Sequence, residues 1–320
     1  MTIGHHLREL DGLPAFDFVS SEAGRTELPE ADAVAWRIAG SSYGDDVVWE
    51  EAFARFTEAV DITRVRALIV GAWSDPFEGG PDEVAAALLA ARDRLPALRA
   101  LFIGDMVMEE CEISWITQGD VSEFLNAFPL LETFGVRGGT GLVFPAIRHE
   151  KLRSLTVETG GLPKRAVQGV AAGDFPALEH LDLWLGTSEY GGDSDIADLA
   201  PFLAGTRLPA LRSLALRNSQ LQDEIAAALA AAPVVARLET LDLSMGVLSD
   251  NGATALLGGQ PLTHLKKLDL HYNYLSDALR ERLREALEPA GVLLDVDADD
   301  ADEGHLDHDG TVWRFVAVGE

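Results

Sequence analysis

Ser244, Asp269 and His271 are the residue types of a hydrolytic triad, and Ser244 and His271 stand 27 residues apart. That spacing becomes chemistry if segments 27 residues apart lie side by side. A serine hydroxyl then finds an imidazole base, and the base finds an orienting carboxylate. The same argument collects a longer row. Arg137, Glu158, Asp182, Trp184, Arg217 and Asp242 occupy equivalent places and join Asp269 and His271. Arginines offer planar paired donors, carboxylates offer acceptors, and Trp and Arg are frequent anchors of binding surfaces. The row can therefore hydrolyse at one end or recognise a peptide along its length. Hydrolysis also needs donors aimed at an oxyanion and a site that excludes water. The sequence identifies neither, so the row reads as a binding surface and no residue is assigned a catalytic role.

Other candidate chemistry is weaker. DVDADDADEGHLDHDG (295–310) carries eight acids, but an EF-hand loop counted from Asp295 would have Asp300 and Leu306 where it needs Gly and Glu. The segment reads as a solvated acidic loop without a metal set. GGTG (138–141) lacks the following lysine and helix start of a phosphate loop. Cys111 is the one cysteine, so no intrachain disulfide exists. It sits among acids, which raise a thiol pKa and argue against a nucleophile. No cofactor is implied.

The elements that must position the row come from a repeat. The pattern LxxLxL recurs as LPALRALFIG (95–104), FPLLETFGVR (128–137), HEKLRSLTVE (149–158), FPALEHLDLW (175–184), LPALRSLALR (208–217), VARLETLDLS (235–244) and LTHLKKLDLH (262–271). Anchors at Val65, Leu98, Leu131, Leu152, Leu178, Leu211, Leu238 and Leu265 lie 21 to 33 residues apart. A period in this range marks a solenoid, with one strand per repeat and a helix or turn behind it. Leucines point inward, and the third, fifth, seventh and eighth positions point to the opposite, concave face. Ten strands are expected, starting near 34, 65, 98, 131, 152, 178, 211, 238, 265 and 292. An N-terminal helix is expected over 47–61, and others near 81–94, 119–127, 164–173, 194–204, 222–231, 250–257 and 276–288. The 131–152 interval has no room for a helix. On the concave side the first strands are small or apolar (Ile69, Gly71, Phe102, Gly104), and the later ones carry the polar row.

Over residues 62–296 these repeats resemble the ribonuclease-inhibitor and Ran-GTPase-activating class of leucine-rich repeats. That implies an α/β horseshoe with a parallel concave sheet and convex helices. The class carries Asn at the ninth position, bonded to the turn backbone; here only Asn273 matches, beside Trp73, Met106, Gly139, Gly160, Gly186, Ser219 and Gly246. HLREL-GLPAFDF, ARFTEAVD, ARDRLPALRALFIGD, EISWI, LWLGTSEYGGD, RNSQLQDEIAAALA, DLSMG and TVWRFVAV further resemble a bacterial family of leucine-rich-repeat cytoplasmic proteins. The resemblance implies no activity and supplies no catalytic residue.

Four regions follow: an N-terminal extension or cap (1–32), the solenoid (33–297), the acidic loop (298–310) and a C-terminal strand (311–320) expected to cover the last sheet edge. The net charge of −28 and pI of about 4.5 repel nucleic acid and anionic lipid and favour a protein or peptide partner of basic character. No leader or membrane-spanning run is visible, which points to a reduced cytoplasm. The expected function is a non-catalytic scaffold that binds a protein or peptide on its concave face. The alternatives are an accessory factor that presents substrate in a bacterial modification pathway and, more remotely, a hydrolase.

Overall fold

Alternation within each LxxLxL segment separates two faces, and a computed structural model of the chain turns each segment into a strand. It describes residues 3–18, 28–42, 48–298, 301, 305–306 and 312–320. One sheet holds twelve strands in chain order: β1 (Glu9–Leu10), β2 (Leu13–Asp17), β3 (Ala35–Ile38), β4 (Ala67–Val70), β5 (Ala100–Ile103), β6 (Thr133–Arg137), β7 (Ser154–Glu158), β8 (His180–Gly186), β9 (Ser213–Ser219), β10 (Thr240–Asp242), β11 (Lys267–Asp269) and β12 (Leu293–Asp295). From β2 onward every pairing is parallel. The register aligns one apolar row through Leu68, Leu101, Phe134, Leu155, Leu181, Leu214, Leu241 and Leu268. Each of these is buried. No strand can bury that row without its neighbours, so the chain forms one continuous core from Ala31 to Val296. The arrangement is compatible with a leucine-rich-repeat solenoid.

The helices close the core from the leucine side: α1 (Trp49–Ala59), α2 (Asp82–Ala91), α3 (Ser122–Ala127), α4 (Lys164–Ala172), α5 (Ile196–Ala204), α6 (Gln222–Leu229), α7 (Asp250–Leu257) and α8 (Asp277–Leu287). Three of their starts are capped by side chains. Asp195 forms a capping box with Asp198, Ser249 accepts from the Asn251 amide, and Ser276 accepts from the Leu279 amide. Between β6 and β7 the chain makes a loop without a helix, as its length required. Gly169 of α4 packs against the Phe144 backbone of that loop, leaving no space for a β-carbon.

Two boundaries differ from expectation. The N-terminal extension is part of the sheet: Asp11 and Gly12, at φ 54° and 72°, turn β1 back antiparallel to β2, which then pairs with β3. Such an Asp-Gly turn is a strong short-range hairpin signal. The C-terminal segment does not cover the last edge. Val312–Trp313 pairs antiparallel with His305–Leu306 in a separate two-stranded ribbon, and β12 is hydrogen-bonded only to β11 among the described residues. Residues 316–320 pass instead to the carboxyl ends of β8–β10. Their apolar side chains decide this: Val316, Ala317 and Val318 are buried there, whereas Leu293 on β12 is left 70% exposed. Most of the acidic segment expected as a loop lies outside the described residues.

Candidate functional site

Residues that alternate with the buried leucines line the helix-free face, and the structure places all of Arg137, Glu158, Asp182, Trp184, Arg217, Asp242, Asp269 and His271 along it. They do not form one open ledge. Arg137 and Glu158 pair across β6 and β7 and are buried. Arg137 Nε donates to Glu158 at 2.7 Å, and its Nη1 donates to Asp105 at 3.1 Å and to the Met106 carbonyl at 2.8 Å. Asp105, completely buried, also accepts from Arg37 Nε at 2.9 Å and from the Leu7 amide at 3.0 Å. Burial opposes the charge on Arg137, but Glu158 and Asp105 outweigh it and raise the guanidinium pKa. This is a structural ion cluster rather than an exposed anchor. Arg37 and Asp105 stand outside the row expected from the repeat spacing. The signal of Arg37 in the sequence is that it is the lone cation of the apolar segment AVAWRI (33–38).

The cluster is closed by the N-terminal segment. Leu7 and Leu10 pack on Ala35, Ala67, Ile69, Ala100 and Phe102, the small and apolar zone of the same face. That zone is therefore filled by the chain itself. Gly135 accommodates the Phe102 ring, which lies where a β-carbon would stand.

The second half, from β8 to β12, is more open. Arg217 grips Asp182 with two bonds, of 3.0 and 2.6 Å, lies 3.7 Å from Asp242, and covers the Trp184 ring at 4.9 Å from its centroid. Trp184 itself is only 6% exposed, which overturns its reading as a solvent-facing anchor. It packs with Ile113, Tyr272, Ala317 and Val318, against Ile3 and Met245. Residues near both termini, Ile3 and Ala317–Val318, thus belong to one cluster. Asp242, Asp269 and Asp295 are register partners on adjacent strands. Burial pushes the Asp242 carboxyl up, against the pull of Arg217. Burial would also raise Asp269, but hydrogen bonds from His271 and Lys267 hold it well below the usual carboxylate range.

The three triad candidates do not assemble as a triad. Ser244 is buried and its hydroxyl donates to Asp242 at 2.6 Å, while His271 Nδ1 pairs with Asp269 at 2.6 Å. Asp269, His271 and Asp295 are the one group among the described residues whose ligand atoms lie within 4.8 Å of one another. The Lys267 ammonium, 2.8 Å from Asp269, already supplies the countercharge that a cation would bring.

Cys111 is buried, and burial together with Glu112 pushes its thiol up to about 11. A thiol displaced by roughly two units holds on the order of 100-fold less thiolate near pH 7.5 than a free cysteine. Alkylation by iodoacetamide, followed by mass, should accordingly be at least that much slower in the folded protein than in urea. Equal rates would place Cys111 in a reactive setting.

The turns after the strands complete the surface. Asn218, Met245 and Tyr272 share the eighth repeat position and a left-handed backbone, with φ of 52°, 66° and 47°. Asn273, the ninth-position match, accepts from the Leu248 amide at 2.9 Å and donates to the Leu243 and Leu270 carbonyls. Asn218 has another task. Its amide donates to the Val318 carbonyl at 2.6 Å, and its oxygen accepts from the Val318 amide at 2.9 Å. The Ala317 amide donates to the Met245 carbonyl at 2.8 Å. Ser114 donates to the Gly319 carbonyl, and Tyr190 donates to the Glu320 carboxylate at 2.8 Å.

No helix among the described residues is long and apolar enough to cross a membrane. A scan against protein-family models finds no match, and a search of curated proteins finds none. Among solved structures, a Bacteroides fragilis protein determined by a structural genomics consortium is similar at a TM-score of 0.76 and 28% identity, over 88% of this chain and 76% of that one. An internalin from Listeria monocytogenes is also found, at a TM-score of 0.35 and 14% identity, over 82% of this chain and 74% of that one.

Proposed function

We propose that the chain is a leucine-rich-repeat solenoid whose sheet is the concave wall, and that it works without catalysis as a scaffold binding a basic protein or peptide segment on the open half of that wall. The observation that carries this reading is the carboxylate row on adjacent strands: the half-buried Asp242 and Asp295 with the buried Asp269 between them, flanked by the Arg217-bound Asp182. Adjacent strands stand about 4.8 Å apart, so the row matches an extended chain laid across them. Arg217 and Lys267 offset part of its charge, and the net −28 of the protein adds long-range attraction for cations. Ser244, buried and bonded to Asp242, supports the non-catalytic side of the reading. A cytoplasmic setting accords with the single cysteine.

A panel of labelled ten-residue peptides, acidic, neutral and basic, tests the proposal by fluorescence anisotropy. Basic peptides should bind preferentially, and their affinity should fall as salt rises. Changing Asp242→Asn and Asp295→Asn together should weaken them by about 5-fold or more, about 1 kcal/mol. Equal affinity for all three classes, or no change in the folded double variant, would remove the carboxylate row from function.

A further inference from the structure

The C-terminal residues 316–320 lie in a groove built to read a peptide backbone. We infer that this groove is a second binding site, for an extended peptide of small apolar residues followed by glycine and an acid, and that the chain's own Val316–Glu320 is its resting occupant. The inference rests on reading the protein as a binding scaffold, but not on the carboxylate row. The groove lies at the carboxyl ends of β8–β10, beyond that row.

Four observations carry it. First, the segment is held through its main chain. Asn218 contacts both backbone groups of Val318, Met245 takes the Ala317 amide, and Ser114 donates to the Gly319 carbonyl. A side-chain amide that both donates to and accepts from one residue recognises any extended segment, as an added strand would. Second, the receptor is organised by its own bonds. Asn218 also donates to the Thr159 carbonyl at 3.2 Å, and the Thr159 hydroxyl donates to the Trp184 carbonyl at 2.8 Å. Third, the groove selects by shape. A β-carbon at Gly160 would collide with the Gly319 carbonyl, so the close approach needs glycine on the groove side. Trp184, Ile113 and Tyr272 leave an apolar seat occupied by Ala317 and Val318, while Tyr190 meets the acid. Fourth, the occupant stands outside the strand order: no strand of the main sheet pairs with it, and Trp313 and Phe315, just before it, are 54% and 61% exposed, with the Tyr274 hydroxyl bonded to the Phe315 backbone. Beside it a cleft of about 510 Å³, lined by Thr187, Gln220, Val247 and the segment itself, leaves room for a longer or bulkier ligand.

The test adds a labelled peptide of sequence WRFVAVGE to the full chain and to its Ala317→Pro variant. Proline removes the amide that bonds Met245 and should release the resident segment. The variant should bind the peptide at least 10-fold more tightly than the wild type does. Adding Gly160→Ala should abolish that binding, because the groove is then filled. A dimer that the peptide dissociates would also support the site, its occupant being the second copy's segment. A folded Ala317→Pro protein that ignores the peptide overturns the inference, as does equal binding of a scrambled peptide or binding that survives Gly160→Ala. The wild type offers a check without mutation. The Ala317 and Val318 amides should exchange with deuterium through a local opening, faster than the core amide of Leu214. If all three exchange only through global unfolding, the segment is a permanent part of the core and the site does not exist. Any of these failures leaves the basic-peptide reading intact.

Discussion

Replacing Arg137 by Met should destabilise the protein by about 3–5 kcal/mol, the usual consequence of removing one partner from a buried ion cluster. The side chain is 4% exposed and bridges Asp105 to Glu158. Methionine fills similar volume, so the loss is electrostatic: two carboxylates remain on a covered face with one countercharge fewer. Arg37 still pairs with Asp105, which leaves Glu158 the more exposed to the loss. Chemical denaturation followed by circular dichroism measures the effect. Adding Glu158→Gln to Arg137→Met should recover part of it, because the uncompensated charge is then gone. A loss below about 1 kcal/mol for the single variant would mean that Glu158 reaches water and that the face is open after all.

Leu241→Asp should be at least as damaging. Leu241 is fully buried in the apolar row, between Leu214 and Leu268. Truncating a leucine in such a core costs about 2–5 kcal/mol, and an unpaired carboxylate adds its desolvation. The sum is comparable to the whole stability of many domains, so the expected result is loss of cooperative unfolding around β9–β11. Asp242, the next residue, provides the control. It points to the opposite face, so Asp242→Leu should retain the fold. If Leu241→Asp melts within a degree of the wild type, the assignment of faces is wrong.

Legibility followed the range of the interactions. All ten expected strands occur, each starting one or two residues after its expected position, and the eight helices fall within three residues of their expected bounds. Asn273 bonds the turn backbone as its repeat position implied. The missed β1–β2 hairpin was also legible, because Asp11-Gly12 between apolar runs is a local signal. Misplacing the C-terminal strand had a different cause. Alternation in TVWRFVAV marks an apolar face but does not say which surface accepts it.

The candidate site divides along the same line. Repeat spacing by itself determined that Arg137, Glu158, Asp182, Trp184, Arg217, Asp242, Asp269 and His271 share the face opposite the leucines, since side-chain direction along a strand has a period of two. Only the tertiary structure decided which of them meet solvent. Leu7 closes on Asp105 across 98 residues, and Val318 reaches Asn218 across 100. Those contacts seal Arg137, Glu158 and Trp184 while leaving Asp182, Arg217, Asp242 and His271 partly open, and Asp269 is buried beneath its bonds to Lys267 and His271. Spacing within a strand sets the direction of a side chain. What then lies over that side chain depends on where distant segments find their best burial, and that choice is made by the assembled surface.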